Sequence, residues 1–196
     1  MLVVRIFIIV LVLVFSLQSW TKADDINEFE IVGMSIGDSL FKFFTKDEIN
    51  TALENITYLG NDQKFLSIFL PLKPKQFDYI QVSIETNDKN YLIHDIMLIA
   101  DYSEKIDKCK IHKEKLINET LNVINFKKRI DKNKPAINID PTGNTFAYAS
   151  SFHFEKGGYV LVACYDYSNE LYEKHGWFDS LQISASSEEL RAYLNN

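Results

Sequence analysis

Residues 145–166 read as two strands, 145–155 and 159–166, joined through Lys156-Gly157-Gly158, whose glycines supply the positive φ that a tight turn needs. A connection this short makes the two strands antiparallel, because neighbouring parallel strands need a crossover element between them. A second hairpin precedes it. In 79–85, Ile80, Val82 and Ile84 alternate with Gln81, Ser83 and Glu85, the period of a strand buried on one face. Asn87-Asp88-Lys89-Asn90 is turn chemistry, and 91–100 is apolar enough for a central strand of the same sheet. Two such hairpins commit the chain to an antiparallel sheet.

The remaining elements follow from period and capping. Residues 29–32, 65–70 and 177–184 read as strands, with Pro71 ending the second of them. Asp38 or Ser39 caps a short helix through 44, and Thr45 with Glu48 forms a capping box that starts a second helix running to about 54. Ile106, Cys109, Lys113, Leu116, Ile117, Leu121 and Ile124 keep helical spacing and predict one long helix over 106–126, with Lys113 the polar member of the stripe. Ser186 and Glu189 give a capping box for a short C-terminal helix. Residues 58–62 read as a turn and 167–176 as a loop. Residues 127–144, with Pro135, Pro141 and clusters of Lys and Asp, read as a mobile loop. The fold class is therefore α+β: an antiparallel sheet with two short N-terminal helices, one long helix and a short C-terminal helix, in the order βααβββαβββα.

The first 23 residues are of different composition. Arg5 precedes an apolar run over 6–15, and Thr21 and Ala23 are the small residues a signal peptidase selects. A run of this length is too short to span a bilayer, which needs roughly 20 apolar residues. Residues 1–23 are thus expected to be a signal peptide and 24–196 a single α+β domain, exported to the periplasm or the medium. Losing Arg5 and Lys22 with the leader takes the formal net charge from −6 to −8. Such a domain is repelled by nucleic acid and by anionic lipid, so neither a nucleic-acid partner nor membrane insertion after signal cleavage is expected. Cys109 and Cys164, the two cysteines of the chain, are expected to pair in an oxidising compartment. The bridge would fasten the first turn of the long helix to a strand.

Two short runs resemble catalytic signatures. Gly37-Asp38-Ser39-Leu40 spells the motif of the SGNH hydrolases, the GDSL esterases, in which this serine is the nucleophile just after the first strand. The resemblance implies an Asp and a His spaced DxxH near the C terminus, since a serine hydroxyl needs an oriented imidazole to take its proton. No Asp in the chain has His three places on. Leu59-Gly60-Asn61-Asp62 echoes only part of the family's GxND block. Gly33-Met34-Ser35-Ile36-Gly37 satisfies GxSxG, but no run of parallel strands precedes it to present a nucleophile elbow. His94, His112, His153 and His175 stand too far apart in sequence to pair at helical spacing, so neither a metal nor a cofactor is expected. The aromatic stretch near the last loop is the stronger surface: Tyr165, Asp166, Tyr167 and Trp177 are the candidate binding residues, where amphipathic rings offer contact area at small entropic cost.

As a set, FEIVGMSIGDSL, TNDKNYLIHDIMLIADY with Cys109 beyond it, and GGYVLVACYDYS followed by WFDSLQI resemble a group of small exported proteins of low-GC marine bacteria. That resemblance implies export and a single domain, and carries no activity with it. The paired short helices before three strands also look, more faintly, like small α+β modules of outer-membrane assembly lipoproteins, whose lipid-attachment cysteine this chain lacks. The chain reads as an exported, non-catalytic binding or interaction protein, with a serine esterase using Ser39 as the alternative.

Overall fold

A computed structural model describes residues 22–71, 77–103 and 105–195. The leader expected over 1–23 lies outside the described residues except for its last two. Eight strands form one sheet: β1 Thr57–Leu59, β2 Phe65–Leu70, β3 Tyr79–Glu85, β4 Ile93–Asp101, β5 Lys128–Pro135, β6 Phe146–His153, β7 Tyr159–Asp166 and β8 Ser180–Ser186. Their spatial order is β1-β2-β3-β4-β8-β7-β6-β5, with every neighbouring pair antiparallel. Two four-stranded meanders thus meet at β4 and β8. Among the described residues four α-helices accompany the sheet: α1 Lys46–Ala52, α2 Ile106–Val123, α3 Asn169–His175 and α4 Glu188–Leu194.

Register sorts the side chains onto two unlike faces, because residues opposite one another in neighbouring strands share a face. One row across the sheet reads Ile68, Val82, Ile96, Ala185, Val160 and Phe152. All six are buried and belong to a single apolar cluster. Over this face α2 packs on β7 and β8, and α1 packs on β2. Ile26, Phe29, Ile31, Met34, Ile36 and Leu40 of the N-terminal segment enter the same cluster. The opposite face has a row that reads Ser67, Ser83, Asp95, Ser186, Tyr159, His153 and Lys128. Between Ser83 and Ile84 the register slips by a β-bulge, so His94 and Asp95 both turn toward this polar side.

Several expected elements hold. The hairpin strand over 79–85 is β3, the Thr45–Glu48 capping box is complete in both directions, and the long helix begins at Ile106. The disulfide between Cys109 and Cys164 is formed, with its Cα atoms 6.0 Å apart, and ties the first turn of α2 to β7. Among the described residues no helix is long and apolar enough to cross a membrane.

The predicted order βααβββαβββα is corrected at five places. The strand expected over 29–32 is only an isolated bridge, Ile31 to Met34, closed over Val32 and Gly33, which both have positive φ. The helix expected after Ser39 is a single 3-10 turn, Leu40–Lys42; Phe41 stays at the surface against Tyr91, ring centroids 5.3 Å apart. Tyr58 and Leu59, expected in a turn, join Thr57 in β1 and pair with β2 before Gly60 turns the chain. Residues 128–135, read as part of a mobile loop, are the edge strand β5, paired over its whole length with β6. An edge strand needs few apolar residues, and lysines there discourage further pairing. The loop expected over 167–176 contains α3, which ends at Gly176 in the left-handed conformation. At the last helix the cap moves by one residue: Ser187 accepts from the Leu190 N–H, while Ser186 stays in β8 and donates its hydroxyl to Asp95.

Asp95 is buried, and desolvation raises its pKa from 3.8 to about 7 despite the bond from Ser186. Its folded-state pKa exceeds the unfolded value, so the native state binds more protons in this window. The contribution of Asp95 to stability is therefore fully present below about pH 3.8 and falls as pH rises from there toward about 7, by at most roughly 1.4 kcal/mol per unit. Asp95→Asn is expected to flatten that slope and to exceed the parent in stability at about pH 8, as read by urea unfolding at about pH 5 and pH 8. Replacing both Cys109 and Cys164 by Ser is expected to cost roughly 4 kcal/mol in the same assay, from the chain entropy released when the cross-link is lost.

Candidate functional site

The polar face is open over β5, β6 and β7, where a cavity of about 480 Å³ lies between the edge strand and α4. Its floor is made by the small residues Ala147, Ala149 and Ser151 of β6 together with Leu161 of β7. Small side chains on successive inward positions leave space that larger ones would fill. Ile130, Lys132 and Lys134, alternate residues of β5, lie opposite Ser151, Ala149 and Ala147 and form one wall. Tyr165 stands at one end. At the other, His153 stacks on Tyr159 with centroids 5.6 Å apart, and Arg191 of α4 reaches over the Tyr159 ring.

The loop after β5 completes this trough and is built around one carboxylate. Asp140 accepts from Thr142 Oγ1 at 2.6 Å, from the Thr142 N–H at 3.0 Å and from Thr145 Oγ1 at 2.9 Å. These bonds, that from the Thr142 hydroxyl foremost, hold its pKa down to about 2. The Ala136 N–H donates to the Thr145 carbonyl at 2.8 Å, which folds residues 136–145 back upon themselves. Thr145 Oγ1 also accepts from the Ser168 N–H at 3.0 Å and so links this loop to the start of α3.

Three of the four predicted binding residues come together. Tyr165 stacks on Tyr167 with centroids 5.4 Å apart, Tyr167 meets Trp177 at 5.6 Å, and Trp177 continues onto His175 at 5.0 Å. This ring ladder starts in the trough at Tyr165 and runs out to the end of α3. Burial raises the phenol pKa of Tyr159, Tyr165 and Tyr167, so all three stay neutral hydroxyls at physiological pH. Asp166 is not part of the ladder. It follows Tyr165 in β7, opposite Phe146, and strand alternation puts it on the helix-covered face.

Ser39 lies elsewhere, beside the start of β4. Its hydroxyl donates to the Asn90 carbonyl at 2.6 Å and accepts from the Phe41 N–H at 3.3 Å, capping the 3-10 turn. The histidines are engaged at other places: His94 with Ser187 and the Phe65 ring, His112 with Tyr102, His153 with Ser151, and His175 with Trp177. Among the described residues no three His, Cys, Asp or Glu side chains converge to hold a metal ion.

Lys132, Lys134, His153, Tyr159 and Arg191 were not legible as a site. They come from β5, β6, β7 and α4, and only register brings them to one face. The signal available was the period of two in Ile130, Lys132 and Lys134 against Arg129, Asp131 and Asn133. No family model, no curated protein and no solved structure matches the chain.

If Asp140 holds the loop wall, its depressed pKa makes that wall firm above about pH 4 and loosens it as pH falls through about 2. Asp140→Ala is expected to speed amide exchange across residues 136–145 at least about tenfold at neutral pH, while exchange in β6 and β7 is unchanged. Exchange as slow as in the parent would mean that the backbone bonds hold the loop without the carboxylate.

Proposed function

We propose that the protein is an exported, non-catalytic binding protein that takes a small molecule into the trough on the open face of β5, β6 and β7. The ring ladder of Tyr165, Tyr167 and Trp177 forms the rim. The observation that carries this reading is the contrast between the two sheet faces. One is packed beneath two helices and the N-terminal segment, while the other leaves a cavity of about 480 Å³ floored by alanine and serine. A cavity of this size lies within the range of small-molecule sites, about 300–1,000 Å³. Export is supported by the character of residues 1–23 and by the Cys109–Cys164 bond, since such bonds persist in oxidising compartments. The bonds made by the Ser39 hydroxyl favour a capping role over that of a nucleophile.

Ala147→Trp places an indole in the trough from a half-buried floor position. In a thermal-shift screen of soluble metabolites, compounds that raise the Tm of the parent are expected to leave that of Ala147→Trp unmoved. Undiminished shifts in the filled variant would place the binding site elsewhere.

A further inference from the structure

Building on the reading of the trough as a ligand site, we infer that its ligand is a small organic anion. Its acidic group lies between Lys132, His153 and Arg191, and its apolar body runs over Leu161 and the alanine floor toward Tyr165.

The argument starts from charge. The chain is acidic, with a formal net charge of −6, yet this cavity is lined by Lys132, Lys134 and Arg191. Lys132 and Lys134 form no ion pair with any described residue. No Asp or Glu is among the described residues that line the cavity, and Glu188, beside Arg191 on α4, has a carboxylate that already accepts from Arg191 at 3.3 Å and from the Gly158 N–H at 3.1 Å. The acid of the edge strand, Asp131, is taken to the other face by the alternation of β5, where it accepts from Ser150 at 2.6 Å and from Arg129 at 3.0 Å. The trough therefore keeps unneutralised positive charge against a low-dielectric floor, where a complementary ion is held more strongly than in open water.

His153 lies within the same group of charges. From β5 it faces Lys128 and Lys132, from α4 Glu188 and Arg191, from β7 the Tyr159 ring, and on its own strand Ser151 at 3.0 Å. Burial first, then the charges of Arg191, Lys128 and Lys132, lower its pKa, against a smaller opposing pull from Glu188. A bound anion offsets that repulsion and raises the His153 pKa. The far end offers apolar contact area to the body: Leu161 and the alanines are apolar, and Tyr165 offers a ring face with a neutral hydroxyl, with Lys134 on the wall beside Ala147. A cavity of about 480 Å³ holds one small molecule rather than a whole membrane lipid, which selects a soluble carboxylate, sulfonate or phosphate ester as the class.

The test uses two dyes with the same ring body, 1-anilinonaphthalene-8-sulfonate and its uncharged parent N-phenyl-1-naphthylamine, titrated against the folded domain by fluorescence. The sulfonate is expected to saturate at one site and to bind at least about tenfold tighter than the neutral dye. Raising the salt should weaken the sulfonate alone. Lys132→Ser combined with Arg191→Gln should abolish the preference without changing the affinity for the neutral dye, and Ala147→Trp should exclude both dyes. In the parent, the His153 pKa read by NMR should rise when the sulfonate is bound, a measurement that needs no variant to fold. Equal affinity for the two dyes, a preference that survives in the double variant, or an unmoved His153 would overturn the anion assignment while leaving the trough as a neutral site. Binding of neither dye to the parent would overturn the trough reading together with it.

Discussion

The pairing of β4 with β8 is the constraint on which the rest of the structure depends. Seven residue pairs, from Asp95 with Ser186 to Asp101 with Ser180, join two meanders that are each complete in local sequence. That register aligns Ile96 with Ala185 and Leu98 with Ile183, so the apolar rows of the two halves become one surface, packed by α1 on β2 and by α2 on β7 and β8. A slip of one residue would turn both rows to the wrong face. Register also brings Asp95 beside Ser186, so the cost of burying a carboxylate is part of holding the halves together.

Whatever was set by neighbours in sequence could be read before the fold was seen. The β3 strand shows its period over seven residues, the Thr45 capping box needs only four, and the stripe of α2 is self-evident once helical spacing is tried. The disulfide was expected from an even count of cysteines and is formed. What escaped were elements whose stability comes from a distant partner. Lys128–Pro135 has few apolar residues to mark it as a strand, and it is ordered because β6 offers it a full ladder of hydrogen bonds. Local chemistry alone favours Ser186 as the cap, with Glu189 three places on; the buried carboxylate of Asp95 claims it and leaves Ser187 for α4.

The site divides in the same way. Tyr165, Tyr167 and Trp177, close in sequence, fold into one ladder of rings. Asp166 was grouped with them by proximity in sequence, yet in a strand the adjacent residue belongs to the other face. The cations opposite the ladder lie in segments read as loop or as terminal helix, and their convergence is a property of the sheet order. Ser39 shows the converse: its motif is legible and its hydroxyl is taken up in capping a turn.

The place of β8 has one more consequence. This strand is the last in sequence and central in space, between β4 and β7. As the chain emerges from its N terminus, β4 and β7 present bare backbone edges until residues 180–186 arrive to satisfy both at once. Closure of the sheet thus requires β8, the one strand that pairs with both β4 and β7. The two apolar half-surfaces therefore stay apart until that strand is in place, wherever folding occurs.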